Sequence, residues 1–240
     1  IMPSLVGSEM CIRDRNPLLA IGTQIDEVLV RHTGLDRAQR RARIIELLGQ
    51  VGIPKPAERL DRLPHEFSGG QRQRILIAMA LACDPQILIA DEPTTALDVT
   101  IQAQILDLLA ELKQRLGLAM LLVTHDLGVV AKVADRVAVM YAGRLVELAN
   151  ADALFAEPAH PYTAGLLRAT PRLTDTRHRM IAIDGVPPDL RLRRSHCDFA
   201  PRCPGADAAC AQRPALRDIG QGRLAACVRP SAPVWMQDHD

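Results

Sequence analysis

Two short apolar runs, Gln86 to Ala90 and Leu118 to Thr124, bracket an amphipathic stretch from Ile101 to Leu116, and this alternation constrains the fold more than any other feature. Runs this short and apolar fit strands buried on both faces of a parallel sheet, joined by a crossover helix. Asp84-Pro85 supplies the turn before the first run. A short helix is expected from Asp126 to Val133, then a hairpin of Arg136 to Met140 with Leu145 to Leu148, turned at Ala142-Gly143. The expected class is α/β around a βαβ core.

Upstream, residues 16 to about 82 read as helical. Ile44, Leu47, Leu48 and Val51 share one face, with Arg40, Arg41 and Arg43 opposite, which predicts a lateral helical subdomain over residues 16–83 and a core over 84–150. Pro54 and Pro56 interrupt the pattern, and a new helix is expected to begin at Ser68-Gly69-Gly70 and run to about Cys83. After Asn150 the texture turns Pro-rich and Arg-rich with weak periodicity, so residues 151–240 are expected to form a small, irregular C-terminal domain. Residues 1–15 carry no periodicity. LVGSEMCIRDR at Leu5 to Arg15 resembles a translated adapter sequence, which makes this stretch a non-native tail, the alternative being a disordered native one.

Composition narrows the function. Six aromatic residues and a net charge of +1 argue against a nucleic-acid partner. No apolar run approaches the roughly 20 residues needed to cross a bilayer, and no basic segment with an apolar stretch opens the chain. A cytoplasmic location is expected, with the cysteines as reduced thiols or metal ligands.

Several residues stand where chemistry needs them. Ser68, Gly69, Gly70 and Gln71 open a helix, whose first-turn amides and dipole suit either a phosphate or an ordinary serine N-cap. Asp91 and Glu92 follow the first apolar run, which places two carboxylates at the carboxyl edge of the sheet, where open α/β folds bind ligands. Asp98 precedes a helix that it can cap. His125 follows the second apolar run. Cys197, Cys203, Cys210 and Cys227 cluster near the end without the close C-x-x-C pairs of zinc ribbons, leaving an iron-sulfur centre, structural zinc or metal-free thiols open. Cys83, on an apolar helix, is expected in the core.

FSGGQRQR at Phe67 to Arg74, ILIADEPTTALD at Ile87 to Asp98 and VTHD at Val123 to Asp126, in this order, resemble the P-loop NTPase-like nucleotide-binding domain of ABC transporters. HPYTAGLL at His160 to Leu167 and the cysteine segment resemble the C-terminal domain of the oligopeptide/dipeptide (peptide/nickel) importers. The resemblance implies ATP hydrolysis with Mg²⁺ held through water by Asp91, Glu92 polarising the attacking water, and His125 sensing the γ-phosphate. It implies that Ser68 to Gln71 contact ATP on a second nucleotide-binding subunit, that the loop at Ala96-Leu97-Asp98 couples the two sites, and that the four cysteines ligate a [4Fe-4S] cluster. His196 stands where the family commonly has glycine. Two membrane-spanning permease subunits and a solute-binding protein are the further implied partners, with the chain peripheral at the cytoplasmic face of the inner membrane.

One departure is plain. No G-x-x-x-x-G-K-[ST] phosphate loop occurs in the 240 residues, so the expectation is an N-terminally truncated subunit that hydrolyses little ATP by itself. The competing expectations are a non-transport ABC ATPase and a pseudo-ATPase that acts as a regulatory or metal-binding partner.

Overall fold

The computed structural model describes residues 16–95, 97–170, 182–192 and 195–230. The expected non-native tail at 1–15, with Cys11, and the loop residue Ala96 lie outside the described residues. The chain divides into two compact units, residues 1–125 and 126–240.

In the first unit, α1 (Ile21–His32) buries Ile21, Ile25 and Leu29, one residue per turn. The second helix, α2 (Arg37–Gln50), starts at Asp36, whose side chain accepts from the Gln39 amide while the Gln39 side chain accepts from the Asp36 amide. Its buried face is Ile44, Leu47 and Leu48, followed by Val51, as the sequence pattern predicts. Next comes α3 (Gly69–Ala80). Strand β1 (Ile87–Asp91), helix α4 (Val99–Leu116) and strand β2 (Ala119–Val123) complete the unit. Gly117 closes α4 in the left-handed conformation at φ 63°, which a side chain would disfavour. The strands pair in parallel from Ile87 opposite Ala119 to Asp91 opposite Val123.

One core joins these pieces. Leu47, Leu48, Ile105, Leu109 and Leu112 are almost wholly inaccessible, and Leu88 and Leu118 bring the strands into the same cluster. Each fully buried leucine contributes about 2 kcal/mol of transfer free energy. Cys83 packs partly buried against this core, and burial raises its thiol pKa above the ordinary value.

The strands depart from expectation in one respect: they are covered on one face only. Ile87, Ile89, Leu121 and Val123 stay well exposed, because alternate residues of a strand point to opposite faces and the core meets just one of them.

In the second unit, helix α5 (Leu127–Val133) is capped by Asp126, which accepts from the amides of Gly128 and Val129. Strands β3 (Arg136–Tyr141) and β4 (Arg144–Asn150) form the expected hairpin. Short helices α6 (Ala151–Ala156) and α7 (Pro161–Ala169) follow, and strands β5 (Arg217–Gly220) and β6 (Arg223–Ala225) extend the sheet to the order β3-β4-β6-β5. The boundary expected near Asn150 therefore falls inside a compact unit. Pairing of Glu147 with Ala225 and of Leu148 with Leu224 joins hairpin and C-terminal residues in one antiparallel sheet.

Both tyrosines and Phe199 pack together here, with Tyr141 4.6 Å from Tyr162 and 5.3 Å from Phe199 between ring centres. Beside them Glu147, with no exposed surface, accepts hydrogen bonds from the amides of Ala159 (2.7 Å) and His160 (2.8 Å) and lies 3.7 Å from the Arg223 guanidinium. His160 in turn caps α7, its Nδ1 accepting from the Tyr162 amide at 3.0 Å. An accepting Nδ1 must be unprotonated, so the ring is neutral with its hydrogen on Nε2.

Two predictions follow from this packing. A Cβ at Gly70 would lie 2.6 Å from Ile101 Cγ2, whereas one at Gly49 would meet nothing within 4 Å. Gly70→Ala is expected to destabilise by about 1–3 kcal/mol and Gly49→Ala to stabilise by up to about 1 kcal/mol, read from denaturant midpoints. The second concerns acid. Burial lowers the His160 pKa from 6.5 to about 4, so between these values the unfolded chain binds a proton that the folded chain refuses. Stability is complete above about pH 7 and falls as pH drops toward 4, by up to about 3 kcal/mol. His160→Asn, which keeps a capping oxygen, is expected to flatten that slope in melts at pH 4 to 7.

Candidate active site

Parallel pairing of β1 with β2 sets the first group of residues. Both strands end at the same level, Asp91 opposite Val123, and the ladder extends one step further through the Glu92 amide, which donates to the Val123 carbonyl at 2.8 Å. Immediately beyond, the chain turns sharply. Glu92 takes φ 45°, in the left-handed region that a side chain with Cβ enters rarely, and the Thr95 amide donates to the Glu92 carbonyl at 3.2 Å. The turn swings the Glu92 side chain over the strand ends, where 35% of it stays exposed.

Both oxygens of that carboxylate are engaged. The Thr95 hydroxyl donates to Oε2 at 2.7 Å, and His125 Nδ1 lies 2.8 Å from Oε1. An ionised carboxylate only accepts, so the imidazole hydrogen of this contact sits on Nδ1. The Thr95 hydrogen bond first, and His125 second, hold the Glu92 carboxyl below the ordinary glutamate range. Glu92 is thus an ionised acceptor next to Asp91 in sequence, and the structure brings Glu92 and His125 together. Thr95 was not among the expected residues. Its position three after Glu92, across a turn, is the signal that points to it.

The second group lies where α3 and α4 begin. Ser68 and Gln71 form a reciprocal cap, Ser68 Oγ accepting from the Gln71 amide (3.3 Å) and Gln71 Oε1 accepting from the Ser68 amide (3.2 Å). The amides of Gly69 and Gly70 occupy the first turn, which leaves a helix N-terminus suited to an anion. A Cβ on Gly69 would lie 3.4 Å from the Leu97 side chain, so the glycines sit against the segment leading into α4. Asp98 caps that helix, accepting from the Ile101 amide at 2.9 Å. Capping and anion binding draw on the same feature, a helix start with outward amides, so the caps made by Ser68 and Asp98 are compatible with their expected functional roles.

The four C-terminal cysteines line one cavity of about 80 Å³ together with His160, Phe199 and Arg229. No disulfide links them. Burial raises the thiol pKa of Cys197, Cys203 and Cys227, that of Cys203 to about 11, and the neighbouring thiols add to the rise. Amides of Phe199 and Ala200 at Cys197, of Gly205 at Cys203 and of Arg229 at Cys227 bond toward sulfur and oppose it. Among the described residues no three His, Cys, Asp or Glu side chains converge as a metal-binding group. The expected ligand set of Cys197, Cys203, Cys210 and Cys227 is corrected to that extent: the four thiols share a cavity without converging on a common point, and a metal would bind there only by displacing protons.

Comparison with known proteins identifies the family. The ABC transporter family matches residues 8–95, and the family described as oligopeptide/dipeptide transporter, C-terminal region, matches residues 146–210. The chain is 54% identical over 223 residues to the dipeptide transport ATP-binding protein DppD of Bacillus subtilis (strain 168), covering 93% of this chain and 65% of that protein. It is 49% identical over 234 residues to DppD of Escherichia coli (strain K12), covering 95% and 72%. Identity to the oligopeptide transport ATP-binding protein OppD of Salmonella typhimurium is 49% over 215 residues, covering 90% and 64%. The chain thus spans about two thirds of the length of these curated relatives. Among solved structures, cbiO1 of Clostridium perfringens, part of the ABC transporter complex cbiONQ, aligns with a TM-score of 0.51 at 32% identity, covering 58% of this chain and 54% of that one. A metal-chelate type ABC transporter in an inward-facing conformation shares the fold, with a TM-score of 0.54 at 22% identity over 64% and 59% of the two chains. Among the described residues no helix is long and apolar enough to cross a membrane. With the Asp91-Glu92-His125 edge, the glycine-opened helix and the C-terminal match on one chain, the protein belongs to the family of ATP-binding subunits of dipeptide and oligopeptide ABC transporters.

Proposed function

We propose that this chain supplies catalytic and signature residues to an ATPase that powers peptide import. The observation that carries this reading is the Glu92 carboxylate, ionised at the edge of β1 beside Asp91 and 2.8 Å from His125. Asp91, a carboxylate at the carboxyl end of a parallel strand, has the hard oxygen chemistry that suits Mg²⁺. The ion, when bound, offsets charge on the ATP phosphates. Glu92 accepts the proton of the water that attacks the γ-phosphorus, and His125, placed at the end of β2, meets the γ-phosphate from the same edge. Ser68, Gly69, Gly70 and Gln71 offer their helix start to ATP on a second nucleotide-binding subunit, and Asp98, the cap of α4, belongs to the loop that couples the two sites.

The remaining partners in this reading are two membrane-spanning permease subunits and a solute-binding protein, with the chain peripheral at the cytoplasmic membrane face. Relatives named for dipeptide and oligopeptide transport support peptides as the cargo. Since the 240 residues contain no phosphate loop, donors for the β- and γ-phosphates come from outside them. The four cysteines are proposed as ligands of a [4Fe-4S] cluster, supported by their common cavity and by the backbone amides that bond toward three of the sulfurs. Loading would displace the thiol protons and draw the four sulfurs inward.

Two measurements test these readings. In the transporter assembled in proteoliposomes, Glu92→Gln is expected to lower peptide-stimulated ATP turnover by at least roughly a hundredfold while ATP still binds, and the isolated 240-residue chain to turn over negligibly. Undiminished turnover by Glu92→Gln would overturn the catalytic assignment. Anaerobic purification is expected to give brown protein with about four irons and four sulfides per chain. Stoichiometric zinc without sulfide would exclude the cluster.

A further inference from the structure

Thr95 contributes to the site in a way that none of the motif assignments covers. Its hydroxyl donates to Glu92 Oε2 at 2.7 Å while its amide donates to the Glu92 carbonyl at 3.2 Å, so one residue grips both the backbone and the side chain of the carboxylate three positions earlier. A threonine side chain is stiff at χ1 because two heavy atoms branch from Cβ, which makes its hydroxyl a fixed point. Glu92 has three rotatable bonds, and an exposed glutamate without such an anchor samples many rotamers. The main chain is already constrained on the other side, where the Glu92 amide donates to Val123 and φ stands at 45°.

Resting on the reading of Glu92 as the general base, we propose that Thr95 is a positioning residue for it: the hydroxyl fixes Oε2, and Oε1 is thereby turned toward His125 and the place of the attacking water. The division of labour between the two oxygens follows. Oε2 accepts from Thr95, and Oε1, which His125 contacts through one lone pair, keeps a second for the proton of the water. Thr95 acts through Glu92. It is an exposed residue and adds little to the core, so removing its hydroxyl leaves the fold intact.

The test compares Thr95→Val, which keeps the branched shape and loses the hydroxyl, with Thr95→Ser, which keeps the hydroxyl. In the 240-residue chain labelled with ¹⁵N-histidine, the ring nitrogen shifts at pH 8 report the His125 tautomer. The wild type and Thr95→Ser are expected to hold the Nδ1–H form, and Thr95→Val to lose that preference as Oε1 drifts away, with all three melting together. In the assembled transporter Thr95→Val is expected to lower kcat by roughly tenfold to a hundredfold with KM for MgATP unchanged, and Thr95→Ser to restore it. An unchanged tautomer in Thr95→Val overturns the proposal, and so does a changed tautomer with undiminished kcat. A wild-type transporter that hydrolyses no ATP would overturn the ATPase reading instead, while the tautomer still decides whether Thr95 holds Glu92.

Discussion

The parallel ladder between β1 and β2 is the constraint on which the proposed chemistry depends. Asp91 and Glu92 stand at the end of one strand and His125 just past the end of the other, 33 positions later, and only in-register pairing brings Glu92 and His125 within 2.8 Å. The ladder's last hydrogen bond is made by Glu92 itself, to Val123, so the residue read as the base is also the last rung of the sheet. A left-handed backbone at a non-glycine residue costs on the order of 1–3 kcal/mol and persists where neighbouring bonds over-determine it. Here the Val123 carbonyl and the Thr95 amide do so.

Elsewhere in the first unit, structural and functional demands fall on the same atoms. The start of α3 needs a cap, which Ser68 and Gln71 provide reciprocally, and an anion would use the amides of the same turn. Gly70 shows the overlap most clearly. Close approach of the backbone to a phosphate calls for a glycine, and so does Ile101 of α4, whose Cγ2 would lie 2.6 Å from any Cβ there. Loss of activity in a Gly70 variant would therefore report folding and ligand contact together.

The second unit compensates for scarce aromatics by concentrating them. Tyr141, Tyr162 and Phe199 bring β3, α7 and the segment that follows Cys197 into one contact. A buried glutamate then ties the segment before α7 to β4 and β6. Glu147 is acceptable in the interior because two amides and a guanidinium surround it, and a neutral His160 completes the arrangement without adding charge. The same buried environment raises the thiol pKa of Cys203, so a metal there has to displace its proton.

Much of this was legible from residue order. The positions of both strands, the helix between them and the hairpin turn at Ala142-Gly143 follow from local periodicity and turn chemistry, and the roles proposed for Asp91, Glu92 and His125 follow from motif resemblance. Three features were not legible, each set by atoms distant in sequence or by side-chain direction. The exposed face of Ile87, Ile89, Leu121 and Val123 depends on which elements cover the sheet, which an apolar run does not encode. Membership of the hairpin in the C-terminal sheet depends on pairing of β4 with β6, some 75 residues apart in a stretch without strand periodicity. The grip of Thr95 on Glu92 depends on the left-handed turn between them. Sequence alone determined which groups are present and on which elements they lie, because helix caps, strand runs and turns are local. Tertiary structure decided which of them meet, because register, burial and side-chain direction are settled only when distant segments pack.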